Sequence, residues 1–223
     1  MPSTLVHVGF AALIGTALLS DHFDARALAV VVAVAALPDL DTFIGLWLMD
    51  GAHRAVLHNL VIPTVLLALA WWDVRVRETS WILDRWGTYG WRVTWVSLLG
   101  AWIVAHVMLD AFYNGVNLFW PLHDEFIDLS GHLLISDQRG VEQTFVEFET
   151  GEDGSVGIGD DHSRGSTGEQ HYVTVADAGP EADEDAERWG YVFDRGTYML
   201  VAVTGYVTAG FRLWENRRRS SGE

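Results

Sequence analysis

The chain has 223 residues and is half hydrophobic, yet it carries 30 acidic residues against 14 basic ones, for a formal net charge of −16. It contains no cysteine, which excludes disulfides, thiolate metal sites and cysteine nucleophiles. Its acidity excludes nucleic-acid binding, because no basic stripe is available to neutralise phosphates.

The charge is segregated. Residues 121–195 hold 19 of the 30 acidic residues and only 4 arginines, and the remainder is a nearly neutral, apolar chain. Every basic residue is arginine. An acidic, lysine-free surface stays solvated while salt screens its self-repulsion, so the expected source is a salt-loving organism, a halophilic archaeon.

Spanning a bilayer takes roughly 20 mostly apolar residues in a helix, and five segments meet or approach that length. The first, Leu5–Ser20, is longer than the apolar region of a signal peptide. It also lacks a basic start and a cleavage site, so it is expected to be a retained helix. The second, Ala25–Met49, contains Pro38, which removes a backbone donor and predicts a kink. The third, fourth and fifth are Ala55–Trp72, Val93–Tyr113 and Gly196–Leu213.

The acidic segment lies between the fourth and fifth. There QTFVEFET and HYVTVAD alternate with the strand period, the Gly- and Asp-rich stretch 151–170 reads as turns or a loose loop, and EADEDAER reads as a solvated acidic run. The expected fold is an all-α integral membrane bundle of about five transmembrane helices with a small, acidic, β-rich external insert. In domain terms, 1–120 is the bundle, 121–195 the insert, and 196–223 the last helix with a basic tail.

Arginine placement sets the expected orientation. Arg75, Arg77, Arg85 and Arg92 crowd the 73–92 connection, and Arg217, Arg218 and Arg219 crowd the C-terminus. Both regions are therefore assigned to the cytoplasm, and the N-terminus and the acidic insert to the outside of a multi-pass protein in the cell membrane.

With that topology, seven unusual polar residues fall on the outer side: His7, Asp39, Asp41, His53, His58, His106 and Asp110. His106 and Asp110 stand four residues apart, on one helical face. Asp39 and Asp41 follow Pro38 closely enough to turn inward together. Ala25–Leu37 rises only about 20 Å as a helix, which puts these carboxylates within hydrocarbon depth. Burying them unpaired there costs several kcal/mol, and a divalent cation removes that cost. Taken singly, each residue has an ordinary reading: a helix cap for Asp39 or Asp41, an interfacial histidine for His7, a self-satisfied pair for His106 and Asp110. Their coincidence is what points to a metal centre. Imidazole with carboxylate and no thiolate suits Zn²⁺ best, with Mn²⁺ or Fe²⁺ also compatible. Seven ligands exceed one tetrahedral site, so two ions are allowed. His123 and His132 lie on the same side and are left open as ligands; His22, His162 and His171 are read as lying outside the site.

Together, His7 in the first helix, P-D-L-D at 38–41, H-R-x-x-x-H at 53–58 and H-x-x-x-D at 106–110, followed by Pro121, resemble the membrane-bound, YdjM-like metal-dependent hydrolase family. The resemblance covers about residues 1–121 and the last helix. It is similar, more distantly, to the zinc-dependent phospholipase C fold. It implies that His53, His106 and Asp110 are core metal ligands, with Asp39, Asp41, His7 and His58 completing the centre. The chain has Ala55, Leu57 and Asn59 where that family commonly has Gly, Thr and Ser, and the insert after Pro121 looks like a lineage-specific addition.

The expectation is a hydrolase of a phosphoester or lipid-like substrate, phospholipid included, at the outer face. Asp41 or Asp39 is the expected general base and Arg54 the group that holds an anionic oxygen. Two other readings use the same residues: a proton- or cation-coupled transporter, and a non-catalytic metal-stabilised scaffold.

Overall fold

A computed structural model describes residues 2–150, 156–179, 182–183, 185 and 187–220. The first helix, α1 (Thr4–Leu19), follows Ser3 and passes through a single tight turn, Ser20–His22. Helix α2 (Ala25–Ala36) starts where the Asp24 carboxylate accepts from Ala27 N at 2.7 Å, which satisfies one of the donors that a helix start leaves unpaired. It stops at Pro38. A tight turn, Pro38–Leu40, leads into α3 (Asp41–Trp47), and the two pieces are bent by 42°. This is the kink expected from the missing proline donor.

The next segment departs from expectation. Residues 48–60 form no helix, and α4 runs only from Val61 to Arg75. Asn59 is the physical reason. Its side chain donates to Ala55 O and Val56 O and accepts from Ile62 N at 3.0 Å, so it closes the preceding turn and caps the helix that follows. Pro63 then fits in the first turn, where it displaces no hydrogen bond.

The turn to the next helix is tied by Asp73. Its carboxylate accepts from Ser80 Oγ, Ile82 N, Trp81 N and Arg77. Helix α5 is one helical stretch, Trp81–Asn114, interrupted at Gly87, where φ is +72°, and its middle, Val96–Met108, is wound with wide i→i+5 hydrogen bonds. The 73–92 connection expected from the sequence is thus mostly helical. The last helix, α6, is Gly196–Ser220.

Among the described residues, two helices, Thr4–His22 and Trp81–Asn114, are long and apolar enough to cross a membrane, and the bent 25–47 pair makes a third if it is one span. This is fewer than the five expected. Helix α4 is too short on its own, and α6 is long enough but not apolar enough, its apolar residues interspersed with Gly, Thr and Tyr.

The bundle core is made where small residues let backbones approach. A Cβ on Gly205 of α6 would lie 1.8 Å from Gly9 O on α1, and one on Gly9 would lie 2.6 Å from Ala202 Cα. Close crossings of this kind are how helices associate in lipid, where no hydrophobic force separates helix from solvent. Buried side chains of α1, α2 and α5 with Ala209 of α6 form one apolar cluster.

The insert carries two antiparallel hairpins, β1 (Leu133–Ser136) with β2 (Gly140–Gln143) and β3 (Phe148–Thr150) with β4 (Val156–Ile158). It is therefore less β-rich than expected. HYVTVAD forms no strand: Thr174 N donates to Asp177 O in a tight turn, and Val173 and Val175 are exposed. The supposed loose loop instead supplies β4, while residues 151–155 and part of EADEDAER lie outside the described residues.

Candidate metal centre

The residues marked by the sequence come together at one end of the bundle. His7 sits in the second turn of α1, Asp39 in the break after α2, Asp41 at the start of α3, His53 and His58 in the irregular 48–60 segment, and His106 and Asp110 near the end of α5. All are buried except Asp39, whose side chain is 22% exposed. Three overlapping sets place their ligand atoms within 4.8 Å of one another: His7, His106 and Asp110; Asp39, His58 and His106; and Asp41, His53 and His58.

The hydrogen bonds decide which nitrogens face the middle. His7 Nδ1 lies 2.8 Å from Ala105 O, and His106 Nδ1 lies 2.6 Å from Ala35 O. A carbonyl oxygen only accepts, so each Nδ1 carries the proton and each Nε2 holds a lone pair. His53 and His58 turn their Nδ1 atoms to the two oxygens of Asp41, both at 2.8 Å. Asp41 also accepts from Leu57 N. It thus orients two imidazoles from behind. This is the pattern of metal-bound histidines, which almost always donate their other ring N–H to a carboxylate or carbonyl.

The freed Nε2 atoms of His7, His58 and His106 converge with Asp39 and Asp110. His58 Nε2 lies 2.9 Å from His106 Nε2 and 3.4 Å from Asp110 Oδ2; His106 Nε2 lies 3.4 Å from Asp39 Oδ1; His7 Nε2 lies 3.6 Å from Asp110 Oδ1. The rings of His7 and His106 stack at 3.7 Å. His7 Nε2 and His53 Nε2 are buried without a hydrogen-bond partner, a costly state for a polar atom unless something else binds it. Three carboxylates, Asp41 and Asp110 buried and Asp39 part-exposed, face one buried arginine, an excess of two negative charges that a single divalent cation neutralises. The donor set, three imidazole nitrogens and two carboxylates with no sulfur, fits a divalent transition ion.

Arg54 sits differently from its expected role. Its guanidinium is fully buried, donating to Gly115 O at 3.0 Å and to Asp110 Oδ1 at 3.2 Å, while its Nε has no partner. Its backbone is left-handed, with φ +66°, a conformation that costs about 1–3 kcal/mol for a non-glycine residue. Asn117 N donating to Arg54 O, and the Tyr172 ring 4.8 Å from the guanidinium, hold it there. Arg54 therefore steadies Asp110.

Sequence reasoning missed several participants. Thr4 donates its hydroxyl to Asp39 Oδ2, and its spacing of three from His7 on α1 was the available signal. Tyr172, from the insert, packs with Ala55 and Phe126 and donates to Asn114 O at 2.7 Å; nothing local to its sequence marks it. His123 and His132 are exposed and pair with Glu125 and Glu142, apart from the cluster. His22 stacks on Tyr89, and His171 faces Asp177. His162 joins Asp128 and Arg164 around a recess of about 250 Å³ that shares no residue with the centre.

No curated protein and no solved structure matches the chain. A family model does: the one described as YdjM inner membrane protein matches residues 1–166, a span that runs past Pro121 and takes in both hairpins. Carrying the His and Asp motifs on apolar helices that converge on one buried cluster, the chain belongs to the YdjM inner membrane protein family.

Proposed function

We propose that the chain is a membrane-bound, metal-dependent hydrolase acting on a phosphoester. His7, His58, His106, Asp39 and Asp110 would hold a divalent cation, Zn²⁺ by donor preference. The observation that carries this reading is the tautomer pattern: every imidazole of the cluster has its Nδ1 engaged, and the Nε2 atoms of three of them point at two carboxylates. A bound cation supplies an activated water at neutral pH and a positive field for a phosphoryl oxygen. Asp41 fixes the tautomers of His53 and His58. Arg54 holds Asp110. Asp39, the one carboxylate of the cluster open to its surroundings, is placed to take the proton of an attacking water.

The five-span topology belongs to this proposal. The centre gathers the start of α1, the end of α2, the approach to α4 and the end of α5, as alternating helices require. Arg75 and Arg77 stand at the opposite end of α4. That end is assigned to the cytoplasm by the arginine rule, with the centre and insert outside.

The test is elemental analysis of the purified protein in chelator-free buffer, with phosphoesterase activity measured alongside. One or more equivalents of transition metal are expected, falling sharply in His106→Ala, with activity lost in parallel. A metal-free wild type refutes the proposal, and metal without turnover on any phosphoester leaves the non-catalytic scaffold in its place.

A further inference from the structure

The centre is closed on one side and open on another, and the two sides differ in chemistry. On the insert side, Ala55, Phe126 and Tyr172 form a buried cluster over Arg54, and Val116 and Ile127 beside it are also buried. On the other side the one part-exposed donor is Asp39, in the break between α2 and α3. Its rim is apolar and exposed: Leu37 and Leu40 flank it, with Leu40 at 49%. Phe43 follows, stacked on Trp47, which is 76% exposed. Leu5 adjoins the Thr4 that bonds Asp39.

Depth points the same way. Arg26 near the start of α2 lies over the Trp86 ring, 3.7 Å from its centroid, a pairing suited to a membrane boundary. From there the 12 residues of α2 rise about 18 Å, which leaves Asp39 inside a hydrocarbon slab of about 30 Å. A water-soluble ester does not dwell at that depth, whereas the headgroup of an amphiphile is brought there when its chain lies against the protein.

We propose that the centre is served from the side, by an amphiphile whose phosphate headgroup reaches Asp39 through the α2–α3 break while its chain lies along Leu37, Leu40 and Phe43. This rests on the metal-centre reading and adds the substrate class and the route.

The experiment uses the full chain in phosphatidylcholine nanodiscs, loaded with Mn²⁺, and follows the ³¹P line of two probes, n-dodecyl phosphate and methyl phosphate. Both carry the same headgroup, and only one carries a chain. Dodecyl phosphate is expected to broaden at a concentration at least about tenfold lower, since each methylene buried against the rim adds to its affinity. Leu40→Glu is expected to abolish that advantage while keeping its Mn²⁺ stoichiometry, which separates a rim effect from misfolding and from simple partition into the disc. Protein that takes up Mn²⁺ but treats the two phosphates alike, or a Leu40→Glu variant that keeps the full advantage, overturns lateral access alone. Protein that takes up no metal overturns the metal-centre reading itself.

Discussion

Replacing Asp41 by Asn separates two roles that a carboxylate in this position could have. The wild-type carboxylate accepts N–H bonds from His53 Nδ1, His58 Nδ1 and Leu57 N. Asparagine keeps the size and offers one acceptor oxygen, but its NH₂ faces a ring N–H, donor against donor. One imidazole must then move its proton to Nε2 or turn away. If that ring is His58, the centre loses one of three nitrogen donors. Loss of an outer-shell partner lowers metal affinity by about 10–100-fold, and a flipped donor ring places Asp41→Asn toward the upper end, about 2.7 kcal/mol. The assay is competition between the protein and a chromophoric chelator at fixed pH, with helical content followed by circular dichroism to confirm that the bundle still assembles. Unchanged affinity with lost phosphoesterase activity would refute this reasoning and return Asp41 to the general-base role expected from the sequence.

Two further outcomes are expected. Gly205→Ala should destabilise the bundle by about 1–3 kcal/mol, because its Cβ would meet Gly9 O at 1.8 Å, whereas Gly210→Ala, with nothing within 4 Å, should be neutral or gain stability; equal melting temperatures for the two would remove the α1–α6 crossing as a packing determinant. Because the chain has no native cysteine, Glu78→Cys and Asp137→Cys report topology without background: an impermeant maleimide on intact cells should label position 137 and spare 78, and the reverse pattern would invert the membrane orientation.

The helices were legible because apolar runs of this length have few alternatives, and the kink at Pro38 followed from a missing donor. The third helix was misplaced because AVLHNLVIP is apolar at all but two positions, and apolarity cannot say where a helix starts. The polar details could: Asn59 as a cap with Pro63 four residues later marks a start near Val61. HYVTVAD shows the converse limit. Alternation describes a strand only if a partner edge exists, and among the described residues none pairs with it. The seven site residues were visible as types, since carboxylates and imidazoles are costly in an apolar segment. Their division of labour was not visible, because it depends on which ring nitrogen meets a carbonyl from another helix. Ala35 O and Ala105 O carry that information, and backbone carbonyls leave no mark in a sequence.

The bond from His7 to Ala105 has a consequence for biogenesis. The two residues are separated by 98 positions, so α1 is synthesised long before its partner exists. At about 5–20 residues per second, the first helix waits about 5–20 s with a polar imidazole in its apolar face. For that interval a chaperone, the insertion machinery or the bilayer interface must shelter His7, since a polar side chain left alone in hydrocarbon is unfavourable. Asp110 and His106 arrive together and last among the clustered residues, so a cation held as proposed would be loaded at the end of membrane assembly. A chain truncated before residue 105 would leave His7 in the bilayer without its Ala105 O acceptor.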